Sequence, residues 1–309
     1  MRVLLYTPSS KMLPEWRDAL ARALPEAEVR AWEPGLAWRA DYAALWYPAA
    51  EVLAGQTSLK AIFNLGAGVE ALLQRIALLP GVPLIRLEDA GMARQMAEYV
   101  TWVVLRYFRR LDVYAAQQSR AEWKLQRPLR HADFPIGVMG VGVLGAHVAH
   151  ALGALGFPVL GWSRTRKRIE GVKCFAGSAE LETFLAGSRA LVCMLPHTAD
   201  TDGILDRETL FELPAGGYVI NVARGGLIVD DDRLAALDAG HLAGATLDVF
   251  HEEPLPAAHP YWRHPKVLLT PHASAITLID ESAAQIAGKI RRLERGEPVT
   301  GVVDLARGY

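Results

Sequence analysis

Residues 136–145 read IGVMGVGVLG, and this stretch decides the fold. An apolar run leads into glycines at 140, 142 and 145, the G-x-G-x-x-G spacing that turns a strand into a helix beneath a dinucleotide pyrophosphate. Gly140 permits the tight turn, Gly142 lets the backbone approach the phosphates, and Gly145 lets the helix pack close to the strand. The phosphates then rest on backbone N–H groups at the helix start, which include those of Val143 and Leu144. Glycine spacing alone is a weak signal, and the flanks strengthen it. PIGVM precedes the turn, the helical pattern AHVAHALGALG follows it, and PVLGWS supplies the second strand of a unit spanning 135–167.

The residues ending that second strand choose between cofactors. A carboxylate there would bind the ribose 2′-hydroxyl of NAD(H), but the chain has Ser163, Arg164, Thr165, Arg166 and Lys167, followed by Arg168. Hydroxyls and guanidinium forks suit a 2′-phosphate. NADPH is therefore the expected cofactor, with NADH less preferred.

Outward from this unit, six apolar runs read as strands of one dinucleotide-binding sheet: FPIGVMG, FPVLGWS, RALVCMLP, GYVINVA, GATLDVF and VLLTPH. The first hundred residues alternate similarly through RVLLYTP, YAALWYP, LKAIFNLG and VPLIRL, with helical patterns PEWRDALARAL and VEALLQRIALL between them. The fold class expected is α/β with two doubly wound parallel-sheet lobes. A long amphipathic pattern from Met92 to about Gln118 reads as one helix passing from the first lobe into the second. A last helix near 278–295 would return the chain, giving a discontinuous domain of 1–98 plus 277–309 and a cofactor domain of 99–276.

Composition restricts the function classes. At 309 residues, 51% hydrophobic and net charge −1, the chain can bury two cores. No apolar run approaches the roughly 18 residues of a membrane span, and MRVLLYTPSS turns polar too soon for a signal peptide, so a cytoplasmic protein is expected. Scattered basic residues give no nucleic-acid footprint. Cys174 and Cys193 sit among apolar residues as buried thiols, and His147 and His150 lack the acid of an HExxH zinc site, so no metal is expected.

Three polar groups follow buried runs at strand ends, where doubly wound sheets bind ligands. They lie in NVARGG around Arg224, LDVFHEEP around Asp248, and LLTPHAS around His272. Together they suit reduction of a 2-keto acid. Arg224 would hold a carboxylate and polarise the keto oxygen, and His272 would donate a proton to it. A glutamate would fix the imidazole tautomer, although Glu252 and Glu253 are adjacent and the pattern does not choose between them. Asp248 would accept from the nicotinamide carboxamide. Each residue alone has a structural reading, and only the set argues for chemistry.

These motifs, with GAGVE at 66–70 and LPHTADT at 195–201, resemble the D-isomer-specific 2-hydroxyacid dehydrogenase family over nearly the whole chain. RLEDAGM, WSRTRK and the tail GEPVTGVVDLARGY are similar to its bacterial glyoxylate/hydroxypyruvate reductases. The resemblance implies a flavodoxin-like substrate domain, a Rossmann cofactor domain, an active site in the cleft and a homodimer. It places the catalytic roles on Arg224, Glu253 and His272, which selects Glu253 over Glu252. It places substrate carboxylate contacts at Ala67 and Gly68, and cofactor contacts at Leu195, Pro196, Thr201, Val222 and Ala223. Glu70 stands where the family commonly has Asp, and Trp46 is a candidate pocket wall. The expected activity is NADPH-dependent reduction of glyoxylate and hydroxypyruvate. The alternatives are an NADH-linked dehydrogenase of a bulkier keto acid and a non-catalytic dinucleotide sensor.

Overall fold

A computed structural model describes residues 1–75, 77 and 79–308, in two compact units: Met1–Gly91 with Thr277–Tyr309, and Met92–Ile276. The first unit contains β1 (Arg2–Tyr6), α1 (Met12–Ala23), β2 (Glu28–Ala31), β3 (Tyr42–Leu45), β4 (Ala61–Asn64), α2 (Glu70–Arg75) and β5 (Leu84–Ile85). Its strands pair in parallel in the order β2-β1-β3-β4-β5, the flavodoxin-like order. Every residue of β3 and β4 is buried, because helices cover both faces of a parallel sheet. β2 escaped the sequence reading: its residues EVRA are charged and half-exposed on the sheet edge, so no apolar run marks them. The VEALLQRIALL pattern yields a helix only over α2, and its Ile76 and Leu78 lie outside the described residues.

The second unit opens with α3 (Met92–Phe108) and α4 (Leu111–Ser119). The single helix expected across 92–118 is corrected to two, since Arg110 takes φ 59°, a left-handed conformation that cannot continue a right-handed helix. The unit continues with β6 (Ile136–Met139), α5 (Val143–Ala154), β7 (Val159–Ser163), β8 (Val172–Ala176), α6 (Leu181–Ala186), β9 (Ala190–Cys193) and α7 (Arg207–Phe211). It closes with β10 (Gly217–Asn221), α8 (Asp230–Asp238), β11 (Leu242–Leu247) and β12 (Val267–Leu269), after which α9 (Ile279–Glu294) belongs to the first unit and packs on α1.

Seven strands, not the six read from sequence, pair in parallel in the order β12-β11-β10-β9-β6-β7-β8. The extra strand is β8, an edge strand whose residues VKCFA carry too much exposed and polar character to read as a core run. Numbered along the unit, this is the doubly wound order 3-2-1-4-5-6 with one strand added. The order reverses between β6 and β9, and ligands of such sheets bind at that switch point. Period-two burial explains the apolar runs: Ala190 and Val192 of β9 join the core on one face, while Leu191 and Cys193 join the core on the other. Burial pushes the Cys193 thiol up to about 12, which leaves it inert. Cys174 is half-buried.

Candidate active site

The glycine turn is built as its spacing predicts. Gly140 takes φ 110°, and a Cβ there would lie 2.6 Å from the Met194 carbonyl carbon and 2.8 Å from the Leu195 nitrogen. The β6 turn therefore abuts the end of β9 at the switch point. A Cβ on Gly145 would meet the Gly140 oxygen at 2.0 Å, so α5 can approach its strand only with glycine here. Gly142 differs: nothing lies within 4 Å of its Cβ position. It is exposed at the N-cap of α5, whose first backbone bond runs from the Ala146 N–H to the Gly142 carbonyl. The N–H groups of Val143, Leu144 and Gly145 precede that bond, so the helix itself supplies them no acceptor. A closed turn, an open glycine and a helix N-terminus together fit a dinucleotide pyrophosphate.

At the end of β7 the basic segment divides into two parts. Arg166 is drawn back: its Nη1 donates to the Cys174 carbonyl at 2.9 Å and its Nη2 pairs with Glu180. Glu180 also accepts from the Ala176 N–H at 2.7 Å, and these bonds hold its carboxyl below the usual range. Sequence reading found no acid at the second strand's end, because Glu180 comes from beyond β8 and only folding brings it here. The Ser163 hydroxyl donates to the Thr165 carbonyl at 2.8 Å and shapes the turn. Arg164, Thr165 and Lys167 are exposed.

The loop after β9 is stapled by Thr201, whose hydroxyl donates to the Pro196 carbonyl at 2.7 Å and accepts from the Thr198 N–H at 2.9 Å. Leu195 is buried and Pro196 half-buried on the same loop. His197 pairs with Asp202 at 2.7 Å and lies against Gly226, where a Cβ would fall 2.5 Å from its Nε2.

Arg224 follows β10 through the buried residues Val222 and Ala223. The turn is braced from within by Asn221, which is fully buried; its amide donates to the Arg224 carbonyl at 2.9 Å and its oxygen accepts from the Ala223 N–H at 3.1 Å. The Arg224 Nη1 donates to the Ala223 carbonyl at 2.6 Å. A Cβ on Gly225 would lie 2.0 Å from the Phe250 carbonyl carbon, so this turn presses on the segment that carries Glu253.

There the predicted pair forms. His272 Nδ1 lies 2.8 Å from Glu253 Oε2, while Glu253 Oε1 accepts from the Phe250 N–H at 2.9 Å. A carboxylate only accepts, so Nδ1 carries the hydrogen and Nε2 is the ring nitrogen that Glu253 leaves available. Burial raises the Glu253 carboxyl, but the His272 and Phe250 hydrogen bonds and the His272 and Arg224 charges outweigh it, and the net shift is downward. A depressed carboxyl stabilises the fold above its ordinary value of 4.5 and loses that contribution as pH falls through the lowered one. Glu253→Gln should therefore be less stable than the parent above that range and approach it in stability below. Melting temperatures of both proteins across pH 3 to 7 check this, and a gap that widens toward acid would contradict it.

Asp248, the expected acceptor for the nicotinamide carboxamide, is fully buried, and its carboxylate accepts from the Thr270 hydroxyl, the Ala273 N–H and the Ser274 N–H. In this structure it anchors the loop carrying His272. The strand-end position was visible in the sequence, but the number of donors converging on it was not.

In the first unit the GAGVE loop is braced as the Arg224 turn is. The buried Asn64, which sequence reading passed over, donates to the Gly66 and Gly68 carbonyls at 2.8 and 2.7 Å. The Trp46 ring lies so close over Gly66 that a Cβ would fall 2.4 Å from it. An asparagine ending an apolar strand before glycines was the available signal for both Asn64 and Asn221.

Among the described residues no group of His, Cys, Asp or Glu is arranged to hold a metal ion, and no helix is long and apolar enough to cross a membrane. Sheet order, glycine turn and the His–Glu pair define a nicotinamide-dependent oxidoreductase. Residues 101–274 match the family described as D-isomer specific 2-hydroxyacid dehydrogenase, NAD binding domain, and the chain belongs to that family. The glyoxylate/hydroxypyruvate reductase A of Serratia proteamaculans is 49% identical over 314 residues, covering 100% of both chains. That of Escherichia fergusonii is 49% identical over the same length and coverage. Among solved structures, the D-isomer specific 2-hydroxyacid dehydrogenase of Xanthobacter autotrophicus Py2 in complex with NADPH and MES superposes with TM-score 0.94 at 42% identity, covering 100% of this chain and 99% of that one. The NADPH-dependent glyoxylate/hydroxypyruvate reductase of Sinorhizobium meliloti, with NADP and sulfate, gives TM-score 0.92 at 36% identity and the same coverage.

Proposed function

We propose that this chain reduces small 2-keto acids with NADPH, converting glyoxylate to glycolate and hydroxypyruvate to D-glycerate. The observation that carries this reading is the 2.8 Å His272–Glu253 pair, set beside the turn that presents Arg224. Full-length relatives bearing that activity support the substrate class, and relatives bound to NADPH or NADP support the cofactor.

The roles follow from the chemistry of each group. Arg224 holds the substrate carboxylate in its planar fork and draws electron density from the keto oxygen. His272 Nε2 gives its proton to that oxygen, and Glu253 stabilises the charged imidazole beforehand. Ala67 and Gly68 offer backbone N–H groups to the carboxylate, and Trp46 restricts the side chain on the keto carbon. Bound NADPH supplies the hydride to that carbon. Val143 and Leu144 N–H groups hold the pyrophosphate, while Leu195, Pro196, Thr201, Val222 and Ala223 shape the wall beside the nicotinamide half.

Arg164, with Ser163, Thr165 and Lys167, grips the 2′-phosphate, and Arg166 supports the turn through Glu180. Arg164→Ala should weaken kcat/KM with NADPH by about 10- to 100-fold, the value of one or two charge-assisted hydrogen bonds. It should leave NADH kinetics within about twofold. Initial rates with both cofactors against glyoxylate, hydroxypyruvate and phenylpyruvate test the whole reading. A tenfold preference for NADH, or for phenylpyruvate, would sink it.

We place the enzyme in the cytoplasm as a homodimer. Trp123 and Leu125 are almost wholly exposed, at 103% and 88%, with Trp102 and Leu111 also open. Large apolar groups grouped in sequence and left in water mark an association surface. Sedimentation velocity at micromolar concentration measures the state directly.

A further inference from the structure

His272 is held in a conformation that its own sequence does not favour. It takes φ 53°, a left-handed backbone that residues with a Cβ rarely adopt and that persists only where the surroundings impose it. Its side chain is also exposed, so packing does not fix the ring. Besides the Glu253 pair, the restraint comes from two directions, neither of them part of the catalytic set.

From beneath, Asp248 fixes the centre of the loop. Its backbone carbonyl accepts from the His272 N–H at 2.8 Å, and its carboxylate takes the N–H groups of Ala273 and Ser274 at 2.8 and 2.9 Å. From the side, α3 fixes both ends. The Gln95 amide donates to the Ile276 carbonyl at 2.9 Å and accepts from the Ile276 N–H at 3.3 Å, so one side chain occupies both backbone groups of that residue. One helical turn further on, on the same face, the Tyr99 hydroxyl lies 2.6 Å from the Thr270 hydroxyl.

The direction of that last bond follows from proton counting. Thr270 has one hydroxyl hydrogen and donates it to the Asp248 carboxylate, which can only accept. Tyr99 must therefore donate to Thr270. Burial pushes the Tyr99 hydroxyl up to about 12, so it keeps that hydrogen throughout the working range. The relay runs Tyr99 to Thr270 to Asp248 and ends on the backbone beside the proton donor.

We propose that Gln95 and Tyr99 form a two-point clamp by which α3 sets the position of the His272 loop, and that they are positioning residues for proton transfer to the substrate. The inference rests on the reading of His272 as the proton donor. Neither residue needs to touch substrate or cofactor. Their effect lies in geometry, because a proton donor on an exposed loop loses rate steeply when displaced by even about 1 Å.

Tyr99→Phe removes one oxygen, Gln95→Leu removes one amide, and both keep the packing of α3. Each should lower kcat for glyoxylate reduction by about 5- to 10-fold, and together by about 30- to 100-fold, with the KM for NADPH held within twofold. With NADPH deuterated at the transferred hydrogen, the isotope effect on kcat should rise as chemistry becomes limiting. In the cofactor-free proteins, backbone hydrogen exchange across residues 272–276 should quicken while exchange in the β-sheets stays at the parent rate.

Parent kcat in the double variant, with exchange unchanged, would overturn the clamp; so would faster exchange with unchanged kcat, since the loop would then be held for reasons unrelated to turnover. His272→Ala, measured alongside, separates the two ideas. If it loses reduction while the double variant does not, the clamp falls and the proposed function stands. If it keeps the parent rate, the reading of the site falls and takes the clamp with it.

Discussion

His272→Ala should reduce the rate of glyoxylate reduction by about 1000-fold or more while leaving NADPH affinity within about threefold. General acid catalysis by a positioned side chain contributes about 100- to 10,000-fold, and here the donor is held on one side by Glu253 at 2.8 Å. The proposed cofactor contacts lie elsewhere in the sheet: the glycine turn follows β6 and the basic segment follows β7, whereas His272 follows β12. Binding and turnover should therefore separate. Nicotinamide fluorescence on titration gives the affinity, and stopped assays over hours give the residual rate. Undiminished turnover in this variant would refute the proton-transfer role, and loss of NADPH binding would show that the loop serves the cofactor instead. Glu253→Gln should fall between the parent and His272→Ala, since the imidazole keeps its place but loses the anion that favours its charged form. Its reduction rate should fall by about 10- to 100-fold.

Substitution of Arg224 should be nearly as severe and should act on a different parameter. Arg224→Lys retains the charge but loses the planar fork, and we expect kcat/KM for glyoxylate to fall about 100-fold, a loss of about 2.7 kcal/mol. Arg224→Ala should cost more, because the substrate carboxylate would then enter the site without its counter-charge. The KM for the keto acid should rise in both. The turn itself should survive, since Asn221 holds the Arg224 backbone rather than its side chain. Asn221→Leu therefore provides a contrast: it leaves the guanidinium present but its anchor broken, and thermal stability should drop along with activity. Steady-state kinetics on glyoxylate with circular dichroism melts distinguish the cases. An Arg224→Lys enzyme with parent kcat/KM would show that the carboxylate is held by other groups.

Much of this site was legible in the chain. The glycine spacing at 140, 142 and 145, the missing acid after β7, and polar groups at the ends of buried strands are local patterns, and local patterns survive in one dimension. Most of the strands follow almost as directly, because parallel strands buried on both faces read as apolar runs, whereas their order in each sheet came from the tertiary structure. The places where reading failed have two causes. β2 and β8 are edge strands with half-exposed charged or polar residues, and the break at Arg110 is a backbone conformation that no side chain announces.

By itself, then, the sequence carried the fold class and the candidate residues: two doubly wound sheets, a dinucleotide turn, and Arg224, Asp248 and His272 after apolar strands, with Glu253 chosen over Glu252 by the family resemblance. Tertiary structure decided how those residues are held. It brought Glu180 from beyond β8 onto Arg166, turned Asp248 inward to anchor residues 270–274, and joined Tyr99 to Thr270 across 171 positions of chain. The physical reason is that motif residues are fixed by what they must contact in a ligand, which repeats from protein to protein. Their supports are fixed by hydrogen-bond satisfaction in a buried interior, where any donor that folding brings within reach will serve.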